Sequence, residues 1–423
     1  MGKLKWISIQ PLTGGMYIGA KNAIGHDAEC IISYPGLNAT KNDKEGNINA
    51  VGNEYHLLEW LKKNNCMVPY YTFSHKMFDD INVDETVLTL TDGQTEHSQP
   101  NFDNIDLVVA VPVCSGLSMV TSASKETKET RNNNMLFITK YTLSKIKPKM
   151  YIFENAPTLT GNPGKEIREQ LEQIAKNFGY SLLYYKTDTV YHCNCQKRPR
   201  TFVVFQKWTG DKPELPSKFG LQNETIDVID YFNMIPEDAT QQIEYQMSPL
   251  NIALLEFSKY KYGENWRDKS HKRPMIDLVN TEDYDNFKTF VSEMTSISDA
   301  EKEKLHKFID HVIYKKSLGM NFMSIDIIAS KHTVPSVQFK CIYSILHPTF
   351  DRLLTVRELL HLMGMPHDFE LCGNVTTNYA QIGQNVPVKT AEFIVSEAIK
   401  NINNINRENS DNVMLIDNTK HHE

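Results

Sequence analysis

Three observations predict an α/β fold, a doubly wound and mostly parallel sheet with a smaller irregular domain beside it. Over residues 1–208, short apolar runs alternate with amphipathic stretches. The run Ile105-Asp106-Leu107-Val108-Val109-Ala110-Val111 is nearly continuous, as a strand buried on both faces requires. The alternation stops near residue 209 and order returns only after 350.

Tyr151-Ile152-Phe153 and Phe202-Val203-Val204-Phe205 read as buried strands like 105–111. Between them Ile167, Leu171, Ile174, Ala175 and Phe178 fall on one helical face, which Gly179 stops. Strand, helix and strand at this spacing make βαβ units, and ligands of such sheets sit at the carboxyl ends of the strands. From 209 to 349 the prolines 213, 216, 236, 249 and 274 break the pattern, and a second, irregular domain is expected there. In the segment 350–423, Thr355-Val356-Arg357-Glu358 is a capping box opening a helix with Leu359, Leu362 and Met363 inward, closed by Gly364 and Pro366. Val388, Ala391, Ile394, Val395 and Ala398 share one face of a last helix. The Asn- and Asp-rich tail from Asn401 is expected to fray, and Lys125–Asn134 reads as a mobile polar loop.

The chain has 423 residues and no run of 18 apolar residues, so no membrane span is expected. Met1–Trp6 lacks the apolar core of a secretion signal. Seven cysteines in a chain this long suit a reduced, cytoplasmic protein rather than a disulfide scaffold. A net charge of −7 argues against a purely electrostatic nucleic-acid binder. It leaves room for a local patch: Ser258–Pro274 has six Lys/Arg against two acids, with Tyr260, Tyr262 and Trp266 between them.

Three short segments could carry chemistry. Cys114 follows the strand 105–111 within Pro112-Val113-Cys114-Ser115-Gly116-Leu117-Ser118, so a thiol is expected at a strand's carboxyl end. Glu154-Asn155-Ala156-Pro157 places a carboxylate directly after a second strand. Gln196-Lys197-Arg198-Pro199-Arg200 leads into a third, and arginine suits bidentate binding of a phosphate or a base oxygen. Taken singly, each also reads as a structural cysteine, a solvated acid or a solvated basic edge. Cys193-Asn194-Cys195 beside His192 lacks the second ligand pair of a zinc site, so no metal is expected.

Taken together, Pro-x-Cys, Glu-Asn-Ala and Gln-Lys-Arg-x-Arg at successive strand ends resemble the cytosine-C5 DNA methyltransferase family. The C-terminal part is similar to its ninth motif (His347-Pro348, Arg352–Glu358, Met363–Phe369) and its tenth (Tyr379–Pro387). The resemblance covers about 1–208 and 345–400, and implies the Rossmann-like methyltransferase fold, S-adenosylmethionine as cofactor and double-stranded DNA as partner. It implies DNA modification by base flipping, of the restriction–modification or phage kind, in the cytoplasm at the nucleoid. It makes Cys114 the nucleophile, Glu154 the group at N3 of the base, and Arg198 and Arg200 the contacts to base oxygen and flanking phosphate. Ser118, Asn155 and Gln196 match supporting DNA contacts. Residues 209–349 correspond to the target-recognition domain, where Lys269, Lys272 and Arg273 are expected to meet phosphates.

The cofactor side departs from the family. Gly14 and Gly15 match the glycine turn of the first motif, but Gln10 stands where an aromatic is usual and Leu12 where a glycine is, and leucine there should obstruct or reshape the pocket. No acid for the ribose hydroxyls is evident in Ile31–Gly36. Asp80 and Ile81 match the adenine contact, Pro112 the fourth motif, and Gln384 and Val386 the tenth, with Gln384 in place of Asn. Three readings stay open: an active methyltransferase with a divergent pocket, a catalytically silent DNA-binding or partner subunit, or a related pyrimidine-C5 modification with another donor.

Overall fold

The computed structural model describes residues 3–35, 54–77, 79, 81–90, 99–113, 117, 134–211, 213, 216–242, 246–270, 281–317, 326–328, 333–337, 345–371, 375–402 and 413–419. The chain divides into two compact units. One comprises Met1–Asn194, Arg198–Thr225 and Leu362–Glu423, the other Cys195–Lys197 and Ile226–His361. The division between the units falls at about 225 and 361.

The first unit is built on a nine-stranded sheet. In chain order its strands are β1 (Trp6–Ile9), β2 (Cys30–Ser33), β3 (Tyr70–Phe73), β4 (Leu88–Leu90), β5 (Leu107–Ala110), β6 (Met150–Asn155), β7 (Tyr180–Asp188), β8 (Pro199–Lys207) and β9 (Val413–Asp417). Across the sheet they lie in the order β9-β7-β8-β6-β5-β1-β2-β3-β4. The central run β6-β5-β1-β2-β3 is parallel throughout. β8 is antiparallel to both β6 and β7, and β4 is antiparallel to β3.

The apolar runs explain the centre. Ile7, Ile9, Ile32, Val108, Ala110, Tyr151, Phe153, Val203 and Phe205 form one buried cluster with Leu171, Ile174 and Ala175 of the helix α4 (Lys165–Phe178). Burial of each large side chain there contributes about 1.5–3 kcal/mol. Phe178, expected inward, is exposed at the last turn before Gly179. β7 was not legible as a strand, because Tyr180–Asp188 has no clean alternation and is buried on both faces.

Helix α1 (Gly15–Ile24) packs on the C-terminal helix Val388–Asn401. Gly19 permits the approach, since a Cβ there would lie 2.6 Å from that of Ala391. All five apolar residues expected on the face of the last helix are buried. The tail corrects the expectation of fraying. Val413–Asp417 joins β7 as a parallel edge strand, Lys186 pairs with Asp417 at 2.6 Å, and buried Asn418 donates to Thr187 Oγ1 and Gln222 O.

The second unit is more helical than irregular. Helices Pro249–Tyr262, Thr281–Glu293 and Asp299–Ser317 supply Leu254, Phe257, Phe287, Val291, Leu305 and Ile309 to its core. Pro249 marks a helix's first turn, with Ser248 Oγ capping Asn251 N at 3.2 Å. The capping box forms as expected: Glu358 accepts from Thr355 N at 2.7 Å, and Thr355 Oγ1 accepts from Glu358 N at 3.1 Å. Burial opposes ionisation of Glu358, yet two hydrogen bonds from Arg352 (2.8 and 2.9 Å) and a contact with His347 hold its carboxyl down at about 2.

Candidate active site

The parallel strands β1, β2, β3, β5 and β6 bring several of the singled-out residues to one edge of the sheet. Cys114 and Ser118 lie outside the described residues, but the chain on either side of them is tied down. Val111 N continues the ladder to Ile9 O. Val113, next to Cys114, donates its N–H to Asn134 Oδ1 at 3.0 Å, at the start of helix α3 (residues 134–141). Leu117 O accepts from Thr158 Oγ1 at 2.6 Å. Pro112 is buried between these anchors.

One strand over, Glu154 ends β6 and meets Arg200 at the start of β8, with Nε to Oε1 at 2.6 Å. The antiparallel turn-back of β8 produces this pair by setting Phe202 opposite Glu154. The Glu154 carboxyl is buried, which raises its pKa, while the charges of Arg200 and Arg198 pull it back only in part. A buried acid with a raised pKa holds its proton more readily than an exposed carboxyl would, which suits it to proton transfer.

Other predicted contacts turn inward. Asn155 Oδ1 accepts from Ala156 N, and its Nδ2 faces Met135 Sδ. Gln196, within the second unit, is fully buried and accepts from Val337 N at 3.2 Å. Arg198 is also buried, and Nη2 donates to the carbonyls of Gly383 and Asn385, both at 2.9 Å. Arg198 thus ties down the C-terminal segment, with its charge felt by Glu154.

The stretch matching the first motif forms a left-handed turn. Gln10, Leu12 and Gly14 all have left-handed backbone, with φ of 50°, 56° and 114°. Two of these are not glycine, at a cost of roughly 1–2 kcal/mol each. Gly15 is required by packing: its N–H donates to Asn385 Oδ1 at 2.8 Å, and a Cβ would stand 1.8 Å from Val386 O. Asn385, the neighbour of Gln384, makes this contact. Gln384 is half-buried in the helix Val375–Gln384 and Val386 is buried. Ile81 is partly exposed, and Asp80 lies outside the described residues.

A buried acid stands at the end of β2. Glu54, at the start of helix α2 (Tyr55–Lys63), is fully buried and accepts from Ser33 Oγ at 2.8 Å, the last residue of β2. Burial pushes its carboxyl up to about 8, partly offset by hydrogen bonds from Ser33 and from the backbone of Glu54 and Leu12. Its Oε2 has no hydrogen-bond partner among the described residues. Residues 36–53 separate it from β2, which hid it; an acid opening the next amphipathic helix was the available signal.

Three of the six cations of the basic patch form internal pairs. Lys259 and Arg267 pair with Asp351 at 2.5 and 2.7 Å, and Lys261 with Asp283 at 2.9 Å. Lys269 is exposed, while Lys272 and Arg273 lie outside the described residues. No described helix is long and apolar enough to cross a membrane.

Comparison with known proteins agrees with this geometry. A type II methyltransferase of Bacillus paralicheniformis, M.Bpa9945I, is 26% identical over 338 residues, covering 71% of each chain. The type II methyltransferase M.DdeI of Desulfomicrobium norvegicum is 21% identical over 361 residues, covering 79% of this chain and 81% of that one. The solved structure of the Entamoeba histolytica methyltransferase EhMeth superposes with a TM-score of 0.54 at 11% identity, covering 95% of this chain and 99% of that one, which supports the fold. The profile of C-5 cytosine-specific DNA methylases matches residues 67–400, most of the chain and both the Glu154–Arg200 pair and the C-terminal segment tied to it. The chain therefore belongs to the C-5 cytosine-specific DNA methylase family and is a DNA cytosine methyltransferase.

Proposed function

We infer that this chain methylates C5 of a cytosine flipped out of double-stranded DNA, with S-adenosylmethionine as donor. The observation that carries the reading is the buried Glu154–Arg200 pair, one strand from the tethered residues on either side of Cys114. Cytosine C5 is a poor nucleophile, so the base must first be activated. The Cys114 thiolate adds to C6, and the buried Glu154 acid delivers its proton at N3 as charge develops there. Arg200 fixes the Glu154 carboxyl and limits how far burial raises its pKa. When bound, the donor supplies the electrophilic methyl group that the activated C5 takes. The Cys114 sulfur then leaves C6 as C5 loses its proton to solvent, and N3 returns its proton to Glu154, which restores both the thiolate and the acid.

The residues at the strand ends fit such a donor. Glu54 Oε2, buried and without a partner among the described residues, suits ribose hydroxyls, and the left-handed turn at 10–14 suits close approach of the methionine end. Asp80 and Ile81 would take the adenine. In the second unit, Ile226–His361, Lys269, Lys272 and Arg273 would meet DNA phosphates.

The test is transfer of a labelled methyl group to duplex DNA, together with covalent trapping by duplexes carrying 5-fluorocytosine. Both should occur, and Cys114→Ala should abolish both. DNA binding without trapping or transfer would sink the reading in favour of a silent subunit. Trapping without binding of S-adenosylmethionine would move it to another donor.

A further inference from the structure

A buried side-chain amide is costly unless both its ends find partners. Gln10 is fully buried directly after β1, and its backbone N–H continues the ladder to Ile32 O at 2.7 Å. Among the described residues its Nε2 reaches the soft sulfur of Met77, at 3.6 Å. Its Oε1 has no hydrogen-bond partner among the described residues. An apolar side chain would fill the place without leaving an orphaned acceptor. At the adjoining strand end, Glu54 Oε2 is the second buried oxygen without such a partner. Two unsatisfied acceptors at neighbouring carboxyl ends of a parallel sheet, around a left-handed turn, are what a ligand rich in donors would satisfy.

We propose that Gln10 is a specificity-determining residue whose Oε1 accepts a hydrogen bond from an N–H or O–H of the donor's nucleoside, beside the hydroxyls held by Glu54. The nucleoside part is indicated because Gln10 faces Met77, just beyond β3, and lies toward the β2 side that carries Glu54. This rests on the donor site proposed above and adds a polar contact where the family usually has an aromatic ring.

Calorimetry on the full chain with S-adenosylhomocysteine and with adenosine tests it, alongside the Tm of the ligand-free protein. Gln10→Met keeps the length and removes the acceptor. Both Kd values should rise by a similar factor, about tenfold for one lost hydrogen bond to a buried group. The ligand-free Tm should stay level or increase, because an unsatisfied amide has been removed. Unchanged affinity for both ligands overturns the proposal, as does a lowered ligand-free Tm, the mark of a structural role. Loss for S-adenosylhomocysteine with none for adenosine overturns the nucleoside assignment. Gln10→Leu provides the same two readouts if Gln10→Met does not fold. If the unaltered chain binds neither ligand, the donor site itself falls. Binding by the unaltered chain that is matched by the variants sinks the Gln10 assignment alone.

Discussion

Replacing Glu54 by glutamine should remove a pH dependence of stability that the unaltered chain carries between about pH 4.5 and 8. The folded carboxyl has its pKa pushed from 4.5 to about 8, chiefly by complete burial. In this window the folded state holds one more proton than the unfolded state, so unfolding becomes easier as pH rises. The associated stability is fully present below the unfolded value and is lost as pH rises through the folded one. At about 1.4 kcal/mol per pH unit, the loss from pH 4.5 to 7 is about 3 kcal/mol. In Glu54→Gln the side-chain amide would keep an acceptor for Ser33 Oγ with no proton to lose. Urea denaturation at half-unit pH steps from 5 to 8.5 measures the effect. The unaltered chain should fall by close to one proton's slope relative to Glu54→Gln, with the variant the more stable at pH 8. Parallel curves across that range would refute a neutral, buried Glu54.

Glu358→Ala should destabilise the second unit by about 1.5–3 kcal/mol at pH 7 in chemical denaturation, because half-buried Arg352 and buried His347 lose their carboxylate partner. With the folded Glu358 pKa at about 2, that stability is present above about pH 4.5 and is lost as pH falls toward 2, so the variant should show a shallower acid transition. Gly15→Ala should lower Tm sharply, by about 3 kcal/mol or more of stability, because its Cβ would meet the Val386 carbonyl at 1.8 Å. An unchanged Tm would show that the segment 385–387 can give way. Neutralising Lys269, Lys272 and Arg273 together should flatten the log–log salt slope of DNA binding by up to about 2.7. Neutralising Lys259, Lys261 and Arg267 should change that slope far less, since Asp351 and Asp283 already pair with them.

By itself the sequence determined the local structure and the chemistry-bearing residue types. The run 105–111, the helix ending at Gly179, the Thr355–Glu358 cap and the apolar face of 388–398 all formed, because periodicity and capping act over a few residues. The family could be read from the order of short motifs. What the tertiary structure decided is everything set by residues far apart in the chain. It reversed β8 between β6 and β7, which joins Arg200 to Glu154, and it recruited Val413–Asp417 to an edge that Asn-rich composition concealed. It turned Gln196 and Arg198 inward, although charge and motif alone had pointed them at DNA. It brought the buried acid Glu54 onto Ser33 at the end of β2, although the two lie 21 residues apart in the chain. Desolvation explains why these could not be foreseen. Whether a carboxyl, amide or guanidinium stands ready for a ligand or is spent inside the protein depends on what surrounds it, and only the assembled sheet sets those surroundings.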